Sequence, residues 1–125
     1  MTGIACGIDL VEIERFRSIT PAIKARFLKR VYTEQELEDC NNRDERLAAR
    51  FAVKEAAVKA LGCGIGDVGW QDIETRLNEN GKPELILNGA AREAAERLAW
   101  QSWAVSISHT REFAVACVTA LSADK

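Results

Sequence analysis

The sequence has a single histidine, His109, and four cysteines with no paired spacing. Sequence-contiguous zinc and redox motifs of the Cys-x-x-Cys kind are therefore absent, and Cys6, Cys40, Cys63 and Cys117 read as small residues of a reducing compartment. No stretch approaches the ~20 apolar residues of a membrane span, and no basic, then apolar, leader precedes Asp9. The expectation is a cytoplasmic protein without membrane contact. Repeats, linkers and low-complexity segments are missing as well. With 125 residues, 47% apolar and 29% charged, the chain is expected to form one domain, residues 1–125, around one core.

Net charge is only −2, yet the charge is unevenly spread. Arg15, Arg17, Lys24, Arg26, Lys29 and Arg30 fall in one segment without an acidic residue. Such a segment is either a solvated face or a docking surface. Nucleic acid is the usual partner of a basic patch, but the chain is net acidic and carries no nucleic-acid-binding motif. An acidic helical protein, steered by charge, fits a local patch better.

Residues 4–11 alternate as a strand, with Ile4, Cys6, Ile8 and Leu10 on one face and Ala5, Gly7, Asp9 and Val11 on the other. Asp9 thus points away from the bulky side. Thr20-Pro21 opens a helix to about residue 31, and Thr33 with Glu36 forms a capping box for a short helix over residues 34–40. A long helix over residues 43–61 ends at Gly62, its natural C-terminal cap. Residues 73–78 and 84–87 read as a hairpin around the turn Glu79-Asn80-Gly81-Lys82-Pro83, residues 90–99 as an alanine-rich helix, and residues 103–108 and 113–119 as a second antiparallel pair. Helices and hairpins without βαβ alternation predict an α+β fold, a small antiparallel sheet on a long central helix.

The long helix is a poor core element on paper. At about 100° per residue, Leu47, Phe51, Val58 and Leu61 form an apolar stripe that contains Lys54 and is edged by Glu55. Asp9 in its strand is either a satisfied polar residue or a metal-binding carboxylate. Glu55 with Lys59 at i+4 is either a helical ion pair, stabilising by roughly 0.3–0.5 kcal/mol, or half of a functional set. Two carboxylates on rigid elements suit magnesium, which keeps several waters and takes its other ligands from substrate phosphates. Neighbouring lysines then become phosphate partners. The glycine loop at Gly62 to Gly66 follows a helix C-terminus, so it is no P-loop, and Lys59 must supply the positive charge for any phosphate there. His109, among Ser106, Ser108 and Thr110, is either a packing residue or a holder of a phosphate or base.

The blocks Gly7-Ile8-Asp9-Leu10-Val11-Glu12, Phe51-Ala52-Val53-Lys54-Glu55-Ala56-Ala57-Val58-Lys59-Ala60, Gly81-Lys82-Pro83 and Ser106-Ile107-Ser108-His109-Thr110 resemble the signature blocks of the holo-[acyl-carrier-protein] synthases, the short type of 4′-phosphopantetheinyl transferase. The resemblance runs nearly end to end. It implies a magnesium-dependent transferase, with manganese as a substitute, that moves the 4′-phosphopantetheine arm of coenzyme A onto a serine of acyl carrier protein in fatty acid biosynthesis. It also implies a homotrimer with active sites between subunits. By position, Asp9 and Glu55 hold the metal, and Asp9, Glu55 and Lys59 are catalytic. Arg50, Phe51, Lys59, Gly62, Gly64, Lys82, Pro83, His109 and Thr110 hold the coenzyme, and Arg15, Arg26 and Phe27 meet the carrier protein. Cys63 departs from the family pattern, which has threonine between the two glycines. Two further readings fit part of the pattern: a non-catalytic module that binds coenzyme A or acidic proteins, and a metal-dependent hydrolase of nucleotide pyrophosphates.

Overall fold

The computed structural model describes residues 2–123. Strand β1 (Gly3–Glu12) leads through a short helix α1 (Glu14–Arg17) into α2 (Pro21–Val31), α3 (Glu34–Cys40) and the long α4 (Asp44–Leu61). After a 3-10 turn, Trp70–Asp72, come the hairpin β2 (Ile73–Leu77) and β3 (Pro83–Leu87), then α5 (Gly89–Arg97), β4 (Trp100–His109) and β5 (Phe113–Ser122). The strands form an antiparallel sheet of order β1-β5-β4 and a separate two-stranded β2-β3 hairpin. The α+β expectation holds. Helix α1 and the 3-10 turn were not anticipated, being single turns too short for a periodic signal. The last two strands outrun their expected ends, since β5 pairs along its whole length with β1.

Helix α4 lies on the inner face of this sheet. The approach is close enough that a Cβ on Gly7 would stand 1.9 Å from the carbonyl oxygen of Ala56 and 2.8 Å from the amide nitrogen of Ala60. Glycine is therefore required there by space. The expected apolar stripe on α4 is corrected by the structure. Ala48, Ala49, Ala52, Ala56 and Ala57 are buried along with Leu47, Val53, Val58 and Leu61, so the helix is enclosed on nearly all sides. Its small residues let the surrounding elements come in, and a one-sided pattern is not needed.

The two faces of β1 are buried unequally. Its bulky face is not the core face: Ile4, Ile8 and Leu10 are 79%, 59% and 62% exposed, whereas Gly7 and Val11 on the opposite face are buried. Leu121 and Phe113 of β5 are also exposed. Asp9 does point away from the bulky side, and the face it shares with Gly7 is the one toward α4.

Lys54 is the second correction. It is fully buried, and its ammonium donates to Glu36 Oε1 at 2.7 Å, to the Trp70 carbonyl at 3.0 Å and to the Ile73 carbonyl. All three of its protons are thus used inside the protein, and none is left for a phosphate. Glu36 is fully buried too. It closes the α3 capping box by accepting from the Thr33 amide at 3.1 Å, and its other oxygen accepts from the Thr75 amide at 3.1 Å. Nearby, Glu74 accepts from the Thr33 hydroxyl and from Arg76 Nε. Burial pulls the Lys54 ammonium below its ordinary pKa, while Glu36 opposes that change.

Removing one partner of such a pair leaves the other charged and dry, at a cost of about 3–5 kcal/mol. Lys54→Met is expected to lose about that much in urea unfolding, and Lys54→Met with Glu36→Gln substantially less than the sum of the two single changes. Equal, additive losses would mean that the two groups do not act as a pair.

Candidate active site

Because β1 alternates, Asp9 projects from the same face as Gly7 toward α4, one turn of which presents Glu55 and Lys59. The Lys59 ammonium donates to the Ile8 carbonyl at 2.9 Å and to Asp9 Oδ1 at 3.2 Å. Its ion pair therefore crosses from helix to strand, and the open choice of a simple i+4 pair with Glu55 is decided against. Glu55 is half-buried. Its carboxyl is pushed above the ordinary glutamate value first by burial and then by Asp9, with Lys59 and Arg15 opposing. Asp9, Glu55, Lys59 and Arg15 thus share one electrostatic neighbourhood.

A carboxyl whose ionisation is made costlier by a neighbouring carboxylate marks a place where added positive charge is favoured. Among the described residues no third histidine, cysteine or acid joins them. The donor set consists of hard oxygens only. It fits magnesium or manganese, ions that tolerate few protein ligands and complete their shell with water and phosphate.

Beside this pair lies an apolar cavity of about 320 Å³ lined by Arg15, Phe16, Ile19, Phe27 and Phe51. Phe27 and Phe51 are 5.7 Å apart between ring centroids, and each stands 5.9 Å from Phe16. Trp70, whose carbonyl Lys54 holds, packs on Phe51 at 5.2 Å. The structure thus places Phe51, expected at the coenzyme, on the same aromatic wall as Phe27, expected at the carrier protein. Arg15 stands at the rim, and Arg26 is exposed on α2.

Other expected residues sit elsewhere. Arg50 is only 5% exposed, has no ion-pair partner among the described residues, and its Nε lacks a hydrogen-bond partner. It neighbours Tyr32 and Cys40, whose acidities burial weakens, Cys40 to a pKa of about 11, with Arg50 opposing in both. Gly62 caps α4 in the left-handed conformation, φ 70°, just past Lys59, and the Gly64 amide donates to Asp67 at 3.3 Å. Lys82 and Pro83 line a different cavity, of about 300 Å³, with Trp103, Ala104 and Val105. His109 is exposed at the end of β4, and Thr110 accepts from the Glu112 and Phe113 amides, fixing the turn into β5. A single copy of the chain therefore brings Asp9, Glu55, Lys59 and Arg15 together and leaves Lys82 and Pro83 in a separate recess. Sequence reasoning missed the supports behind the site, Glu36, Glu74 and Trp70. The capping box was legible, but its glutamate serves a lysine 18 positions away.

A carboxylate pair with a lysine on a strand and its packed helix suits a phosphate-handling class of site. The comparisons narrow it. The chain belongs to the 4′-phosphopantetheinyl transferase superfamily, whose family model matches residues 5–118. It is 40% identical to the holo-[acyl-carrier-protein] synthase of Herpetosiphon aurantiacus, over 94% of this chain and 98% of that protein. The synthase of Carboxydothermus hydrogenoformans is 45% identical over 90% of this chain and 94% of its own length. Among solved structures, the Helicobacter pylori synthase in complex with coenzyme A matches with a TM-score of 0.82 at 33% identity, covering 92% of this chain and 98% of that one. The Bacillus anthracis synthase in complex with CoA (3′,5′-ADP) matches with a TM-score of 0.75 at 35% identity, covering 95% and 96%.

Glu55 gives a pH test. Since its folded-state pKa lies above the ordinary 4.5, the folded protein binds that proton more tightly than the unfolded chain. Its contribution is thus most favourable at low pH and declines as pH rises from 4.5 through the folded value. Glu55→Gln removes this decline. The melting temperature of the variant, followed across that window without divalent metal, should gain on the parent as pH rises; a constant difference would contradict the electrostatic crowding.

Proposed function

We propose that this chain transfers the 4′-phosphopantetheine arm of coenzyme A to a serine of apo acyl carrier protein, giving the holo carrier and adenosine 3′,5′-bisphosphate. The observation that carries the reading is the Asp9–Lys59 contact with Glu55 beside it, on a chain whose full-length relatives are holo-[acyl-carrier-protein] synthases. The serine oxygen forms a bond to the β-phosphorus, the bond from that phosphorus to the bridging oxygen breaks, and the bisphosphate leaves with the electron pair. Negative charge gathers on the phosphoryl and bridging oxygens, so preorganised positive charge lowers the barrier.

Asp9 and Glu55 would hold Mg2+, or Mn2+ on the same oxygens. When bound, such an ion neutralises charge on the pyrophosphate. Lys59, anchored on the Ile8 carbonyl, turns its remaining donor capacity from Asp9 to a phosphate oxygen. The carboxylates of the pair are also the groups at hand to accept the serine proton. Arg50, a buried cation without a carboxylate partner among the described residues, is suited to another phosphate of the coenzyme. Gly62, Gly64, Lys82, Pro83, His109 and Thr110 complete the coenzyme site. The separation of Lys82 and Pro83 from Asp9 and Glu55 supports a site divided between copies. Arg15, Arg26 and Phe27 receive the acidic carrier, with the aromatic cavity beside them for an apolar side chain.

The exposed sheet face supports self-association into a trimer, since Ile4, Ile8, Leu10 and Leu121 on one surface exceed what a lone small protein usually leaves to water. The setting proposed is the cytoplasm and fatty acid biosynthesis; no helix of the described residues is long and apolar enough to cross a membrane.

Three measurements test this. Intact mass of apo carrier protein incubated with the chain, coenzyme A and magnesium should rise by one phosphopantetheine, not with chelator, and not with Asp9→Asn or Glu55→Gln. Consumption of coenzyme A without a mass gain would replace the transferase by a hydrolase. Arg15→Glu with Arg26→Glu should raise KM for carrier protein at least tenfold more than KM for coenzyme A; equal changes would return the basic segment to a solvated face. Ile8→Lys should turn a trimer, by light scattering, into monomers with little activity, and a fully active monomer would remove the divided site.

A further inference from the structure

Helix α2 is seated shallowly. Of its eleven residues only Val31 is buried; Phe27 and Leu28 are half-buried, and Ile23, Arg26, Lys29 and Arg30 are exposed. Helices in proteins are held chiefly by the apolar face they bury, so the place of this one depends on polar contacts toward its two ends. Near its start, Lys24 pairs with Asp44 of α4. At its finish, Gln71 Nε2 donates to the Lys29 carbonyl at 2.9 Å and to the Arg30 carbonyl at 3.4 Å. These carbonyls belong to the last turn, where no further helical amide follows to bond them. The chain has already turned away, since Tyr32 is extended and the Thr33 amide donates to Glu36.

Gln71 can hold α2 because its own neighbours in the 3-10 turn are fixed. The Trp70 carbonyl accepts from the buried Lys54 at 3.0 Å. The Asp72 carbonyl accepts from the Asn88 amide at 2.8 Å, just ahead of α5, and its carboxylate accepts from the Gly69 amide at 3.0 Å. The Trp70 ring rests on Phe51, and Phe51 meets Phe27 of α2. The turn thus grips α2 twice, through rings at Phe27 and through Gln71 at the final carbonyls. Ring contacts tolerate sliding; two directional bonds to consecutive carbonyls do not.

We propose that Gln71 is the positioning residue that sets α2 for the carrier protein. It acts through Arg26 and Phe27, not by touching either substrate. The inference rests on the proposed transfer to acyl carrier protein and adds to it the tether that orders the docking surface. With the bonds in place, Arg26 and Phe27 present one arrangement to an acidic partner. Without them α2 is displaced part of the time, and apparent affinity falls by the fraction of time in the docking position. Asp9, Glu55 and Lys59 lie on β1 and α4, which the turn meets through Lys54 and not through Gln71, so the chemical step at saturating carrier is left alone.

The test is Gln71→Met, which keeps the length and neutrality of the side chain and removes its donors. Expected is a rise of about fivefold in KM for apo acyl carrier protein, with kcat and KM for coenzyme A unchanged, and faster hydrogen exchange in the last turn of α2. In a chain already carrying Arg26→Ala and Phe27→Ala, the same change should add much less to KM, because its route to the carrier is gone. Gln71→Leu serves if circular dichroism shows Gln71→Met misfolded. An unchanged KM for carrier, equal rises for carrier and coenzyme A, or a full effect in the Arg26 and Phe27 background overturns the positioning role. A parent chain that neither transfers to carrier protein nor binds it overturns the functional reading and the carrier role of Gln71 with it, even where exchange in α2 quickens.

Discussion

The Lys54–Glu36 pair is the contact on which the rest of the molecule hangs. A fully dry ammonium is tolerable only because each of its protons has an oxygen, and those oxygens belong to α3, the 3-10 turn and the start of β2. Helix α4 is thereby tied to three neighbours at one point, and its rotation about its own axis is set. The adjacent residue is Glu55. A change in helix rotation would move that carboxylate relative to Asp9, so the buried pair acts on the site through geometry and not through charge delivered to a substrate. The same lysine holds the carbonyl of Trp70, whose ring backs Phe51, and so reaches the apolar cavity at the other side of the site.

The site itself shows a division of labour among cations that look alike in one dimension. Lys54 and Lys59 are five positions apart on one helix, yet one is sealed in the core and the other exposed at the mouth. The buried lysine has spent its donors on protein oxygens. The exposed one shares its donors between a carbonyl and Asp9, contacts that can be exchanged for phosphate oxygens at little cost because water already competes for them.

Much of this was legible in the sequence. Periodicity gave β1, α2, α3, α4 and the hairpins, since each carries caps or alternation strong enough to mark its bounds, and Asp9, Glu55 and Lys59, which the structure brings together, stood out because charge in an apolar pattern needs a reason. What was not legible depends on contacts across the fold. The role of Lys54 required knowing that Glu36, an ordinary capping-box residue, lies 18 positions away in sequence and one hydrogen bond away in space. The exposure of Ile4, Ile8 and Leu10 could not be read from β1, because a strand with apolar residues on both faces does not say which side the helix covers. The approach of the Cys6 and Cys117 sulfurs to 3.9 Å, 111 positions apart in sequence, exists only in the register of the sheet.

Gly7 has a meaning beyond the space it saves. Because backbone meets backbone where β1 crosses α4, the gap between the strand bearing Asp9 and the helix bearing Glu55 is set by atoms that every sequence shares, not by the size of any side chain. The joint behaves like a hard stop. Substitutions can accumulate over α2, the hairpin and the outer sheet face while that gap stays the same, so the two carboxylates keep one calibrated spacing as the surface around them diverges.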